Sequence, residues 1–135
     1  MSAHTLRVPW SMSSEVDVRR AVVLELHALE VDTTIVDEAE IVLSELVANA
    51  VRHAKPLPDG TIRVSWTVRA GVVEVEVADG GGPTTPRPAP RALLSVTGRG
   101  LRIVRGLAHE WGVLEDRGGR TVWVSLGGPS RRRSQ

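Results

Sequence analysis

Glu45, Asn49 and His53 stand four residues apart along one segment of the chain. On a helix, at about 100° per residue, that spacing stacks the three polar side chains within about 80° of one another. Ile35 and Val42 fall inside or beside the same arc. The polar row therefore borders the face that must be buried. A carboxylate brought to such a border needs partners, and a ligand carrying a metal ion would supply them. The plain alternative is a solvated helix edge. A second acidic group raises the same question. Val73, Val75, Val77 and Asp79 share one side of a strand by their alternation. An aspartate there is either an acceptor for a donor on a flat, otherwise apolar ligand, or the first residue of the turn Asp79-Gly80-Gly81-Gly82-Pro83. The third feature is Gly98-Arg99-Gly100-Leu101 ahead of a helical segment. Glycines there let backbone N–H groups approach phosphate, aided by the helix dipole. No strand directly precedes it, which excludes a Rossmann fingerprint, and no Gly-Lys-Ser/Thr occurs, which excludes a Walker A loop.

Elements must hold these residues in place. Val18, Val22, Leu26 and Leu29 mark one face of a helix over residues 13–29, with Ser14 and Asp17 as a capping box. Asp32, Thr33 and Thr34 offer the N-cap of a second helix over about residues 34–53. Its apolar stripe is Ile35, Ala39, Val42, Leu43, Leu46 and Ala50, and Pro56, Pro58, Asp59 and Gly60 end it. Ile62, Val64, Trp66 and Val68, then Val73, Val75 and Val77, alternate with polar residues on either side of Ala70-Gly71. That pattern is an antiparallel hairpin with one face buried. Residues 80–100 form a long loop, of a length that in compact domains usually carries function. A short helix over 101–108 and a hairpin of 111–115 with 121–126 complete the order. The expected fold class is α+β: a two-layer sandwich of helices on one face of a mixed, largely antiparallel sheet.

The composition narrows the function classes. The 135 residues suit one domain, expected over 1–128 and followed by a basic, disordered tail over 129–135. The net charge of +1 gives no field for direct nucleic-acid binding. The absence of cysteine excludes disulfides and thiolate metal sites, and no histidine pair has zinc spacing. No apolar run approaches a membrane span, and no signal peptide opens the chain, so a cytoplasmic protein is expected.

Taken together, the motifs form an ordered set: Glu-x-x-x-Asn-x-x-x-His on a helix, Asp-x-Gly after a strand, Gly-x-Gly-Leu before a helix, and Gly-x-Thr on a last strand. This order resembles the GHKL ATPases over roughly residues 5–126. Within them it is most similar to the anti-sigma factor serine/threonine kinase group of actinobacterial regulators. The resemblance implies ATP and Mg²⁺ as cofactors. It implies that Asn49 holds Mg²⁺, that Glu45 is the general base, and that Asp79 accepts from the adenine amino group. Gly81 would let the backbone approach the purine, and Thr121 would join the adenine through water. Gly98 and Gly100, with Arg99 and Leu101 beside them, would face the phosphates, and His53 would reach a phosphate or pack. The implied partners are a sigma factor and a STAS-type anti-anti-sigma protein, in an assembly that is often a homodimer. The alternative is a nucleotide-binding interaction module without useful kinase activity. Two departures stand out. Pro83 replaces a glycine of the first glycine box, and the lid segment, residues 83–97, carries Arg87 and Arg91 but no lysine.

Overall fold

The computed structural model of the chain describes residues 2–82 and 106–130. Among these the elements run β1 (Ser2–Pro9), α1 (Ser14–Ala28), α2 (Thr33–His53), β2 (Thr61–Arg69), β3 (Val72–Asp79), β4 (Glu110–Asp116) and β5 (Gly119–Leu126). The strands make one sheet in the order β1-β2-β3-β5-β4. Every ladder among the described residues is antiparallel, so the expected mixed pairing is not found there. Both helices pack on one face, which makes the fold the two-layer α+β sandwich expected.

The core follows from two periodicities. Helix α1 buries Val18, Val22 and Leu26. Leu29, expected on the same face, lies beyond the helix end and is exposed. Helix α2 starts where Asp32 Oδ1 accepts from the Thr34 N–H at 2.9 Å, the N-cap that the sequence suggests. It buries Val36, Ala39, Val42, Leu43, Leu46, Val47 and Ala50. The alternating residues of β2, β3 and β5 meet this face, with Trp66 the largest fully buried side chain. Between β2 and β3, Ala70 and Gly71 both take positive φ, 50° and 81°. That is the two-residue turn whose twist suits a hairpin.

One local expectation is corrected. The capping box at Ser14 does not form. Ser13 is the N-cap of α1 and makes no side-chain cap. Ser14 is buried and its hydroxyl donates instead to the Pro9 carbonyl at 2.7 Å. The cause is β1, a strand that the sequence reading did not place. It enters as the sheet edge beside β2 and brings the Pro9 carbonyl to the start of α1. Beyond β5, Ser130 is buried, with its N–H donating to Glu110 and its hydroxyl to Glu74. The lid residues 83–97, Gly98, Arg99, Gly100 and Leu101, the first part of the expected third helix, and residues 131–135 lie outside the described residues.

Candidate functional site

Near its C-terminal end α2 faces the ends of β3 and β5. Leu46, Asn49, Ala50 and His53 from the helix line a cleft with Val77 and Asp79 from β3 and Arg120 and Val122 from β5. The helical spacing thus brings Asn49 and His53 to the cleft, and the strand alternation brings Asp79. Asn49 Oδ1 is buried and accepts no hydrogen bond among the described residues. A buried acceptor of that kind calls for a partner from a ligand, water or ion. Glu45 is half-buried one turn before Asn49 and does not line the cleft. His53 lines it from an exposed position.

Asp79 is 5 % exposed, and its Oδ1 accepts from the Gly81 N–H at 2.7 Å. Asp79 therefore starts the turn, and its carboxylate is buried against the cleft. Gly81 has φ of +88°, with none of the described residues within 4 Å of where a Cβ would stand. The Asp79 carboxyl is pushed above its ordinary value, chiefly by burial. The Gly81 N–H and the Arg120 guanidinium oppose the shift, and Glu115 adds to it. A carboxyl that is easier to protonate in the folded than in the unfolded chain adds stability at low pH. That contribution is lost as pH rises through its raised value. Asp79→Asn cannot titrate. Its unfolding free energy is expected to gain on the parent's as pH rises from the ordinary aspartate value through the raised one. Denaturant titrations of both proteins across that range check this, and parallel profiles would count against it.

Thr121 does not join the cleft. It pairs with Ala78, while Arg120 pairs with Asp79 and Val122 with Val77. Side chains alternate along β5, so Arg120 and Val122 point to the helix side and Thr121 to the other side of the sheet. There Thr121 borders an adjoining depression with Leu57, Arg63 and Asp116, whose lining shares Asp79 and Arg120 with the cleft. The residue that faces Asp79 is Arg120, which the sequence reading passed over for its neighbour. The signal was present: counting back by twos from the apolar Leu126, Val124 and Val122 reaches Arg120.

The chain belongs to the histidine kinase-like ATPase domain family, which matches residues 11–126. Membership in an ATPase family implies ATP binding. Among solved structures the chain is similar to that of the RsbU and RsbW domains of Rv1364c from Mycobacterium tuberculosis. The TM-score is 0.71 at 21% identity, over 97% of this chain and 34% of that one. This chain therefore spans about a third of the length of that solved chain, and the likeness is one of fold. No curated protein matches the chain. No helix among the described residues is long and apolar enough to cross a membrane.

Proposed function

We propose that this chain is an ATP- and magnesium-binding regulatory domain of the anti-sigma factor kinase type. In this reading it transfers phosphate to a serine or threonine of a STAS-type partner in the cytoplasm and alternates between that partner and a sigma factor, so that transcription responds. One observation carries the nucleotide part: Asn49, whose buried Oδ1 has no partner among the described residues, lines the same cleft as the buried Asp79. No group of three or more His, Asp or Glu among the described residues could hold a metal by itself. A lone amide oxygen suits a magnesium ion that arrives with phosphates, since Mg²⁺ commonly keeps few protein ligands. Bound there, the ion would offset charge on the transferring phosphate. Asn49 would hold it, Asp79 would take the adenine amino hydrogen, and Glu45 would accept the proton of the attacking hydroxyl. Gly98, Arg99 and Gly100 are proposed to face the phosphates, with Leu101 starting the helix behind them.

The position of Glu45 outside the cleft lining favours a second reading, a nucleotide-dependent interaction module that transfers nothing. Both readings require binding. Mg-ATP at a hundred times its Kd is expected to stabilise the domain by about 2.7 kcal/mol, a rise of several degrees in Tm. Coincident melting curves with Mg-ATP, Mg-ADP and buffer would refute both.

A further inference from the structure

We propose that Arg120 is a second base-reading residue: its guanidinium donates to a ring nitrogen of adenine while Asp79 accepts from the neighbouring 6-amino group. The proposal rests on the ATP-site reading above. It goes beyond it by assigning Arg120, which the motif pattern leaves out.

The position comes from register. Arg120 is the cross-strand partner of Asp79, on the same face of the sheet and in the same cleft as Asn49. Its state comes from burial. The side chain is 7 % exposed, and Nε is buried with no hydrogen-bond partner among the described residues. The nearest carboxylate oxygen, Asp79 Oδ1, lies 3.7 Å from Nε, too far for a hydrogen bond, and already accepts from Gly81. The guanidinium ends lie beside Gly82, where an added Cβ would sit 3.3 Å from one of them. Glu115, the other cross-strand partner of Arg120, is exposed at the outer strand. A guanidinium carries five donors and no acceptor, and leaving donors unmatched when buried is costly. Among the described residues the chain thus holds a buried cation with one unmatched donor, Nε, against a carboxylate in the lining of a cleft.

The complementary ligand edge shows an acceptor beside a donor. Adenine has that pattern twice, with the 6-amino group next to N1 and next to N7. The N7 and 6-amino pair is the edge that polar side chains read on adenine elsewhere. A carboxylate alone reads only the amino group. The added cation makes the contact charge-assisted and fixes which way the ring faces. A purely structural Asp79–Arg120 pair would instead compete with the base for Asp79.

The test measures Mg-ATP, Mg-1-deaza-ATP and Mg-7-deaza-ATP binding by calorimetry to the parent and to Arg120→Met, with circular dichroism confirming the fold. In the parent, one of the deaza analogues is expected to bind tenfold or more weaker than ATP. In Arg120→Met, ATP should weaken by a similar factor and the deaza penalty should vanish, because the partner of that nitrogen has gone. Unchanged or tighter ATP binding by Arg120→Met would overturn the proposal and identify Arg120 as a competitor for Asp79. If Arg120→Met does not fold, the parent decides alone: equal affinity for all three nucleotides leaves no ring nitrogen in contact and overturns it. A parent that binds none of them would remove the ATP-site reading itself, whereas normal parent binding with no response to Arg120 removes only this assignment.

Discussion

Glu45→Gln is expected to bind Mg-ATP nearly as well as the parent and to lose most phosphate transfer to a serine-bearing partner. A positioned base speeds such an attack by about 10²–10⁴-fold, and the amide keeps the volume of the carboxylate without its basicity. Binding should survive because Glu45 stands one turn outside the cleft lining. Asn49→Ala should lose both binding and transfer. Its Oδ1 is the buried acceptor that the described residues leave without a partner, and removing it takes away the proposed hold on the metal and its phosphates. The measurement is radiolabelled transfer from ATP to a STAS-type protein of the same host, with nucleotide affinity measured on the same samples. Transfer that persists in Glu45→Gln would remove that residue from the chemistry. No transfer by the parent, together with partner affinity that changes with nucleotide, would establish the interaction module instead.

The legible and illegible parts of this molecule divide along a physical line. Residues whose neighbours are set by local periodicity could be placed from the sequence. The Asp32 cap and the apolar stripe fix α2, and with it the shared face of Asn49 and His53. The Val73, Val75 and Val77 alternation fixes the buried side of Asp79. Strand β1 escaped because only Leu6 and Val8 carry its inward aliphatic pattern, and its third inward position is His4, stacked on Trp66 at 4.9 Å. Such a strand is defined by its partner β2 more than by its own residues. Arg120 escaped for another reason: a motif reading favoured the hydroxyl of Thr121, whereas the pleat of β5 sends that hydroxyl to the far side of the sheet. Long-range contacts were beyond any local pattern. Nothing near residue 80 in the sequence announces that it touches residue 56.

That contact carries the other large expected effect. Gly80→Ala is expected to cost about 2–4 kcal/mol of stability, the sum of overpacking against backbone and of weakened hydrogen bonds. A Cβ on Gly80 would stand 2.1 Å from the Pro56 carbonyl oxygen and 3.0 Å from that of Lys55. Backbone cannot rotate aside as a side-chain end can, so the two segments must separate. They are held by a reciprocal pair, Gly80 N–H to the Lys55 carbonyl at 2.7 Å and Lys55 N–H to the Gly81 carbonyl at 3.0 Å. This pair ties the chain just after α2 to the chain just after β3. It therefore sets the spacing between the helix that carries Asn49 and the strand that carries Asp79. Separation should weaken nucleotide binding along with stability, although no ligand-facing side chain has changed. Gly82→Ala is the control: the nearest atoms to its Cβ belong to the end of the Arg120 side chain, at 3.3 Å, and not to backbone, so its stability should fall less than that of Gly80→Ala. Urea unfolding and Mg-ATP titration of the three proteins decide the matter. If Gly80→Ala unfolds with the parent's midpoint and binds with the parent's affinity, the Lys55–Gly81 link does not set the width of the cleft.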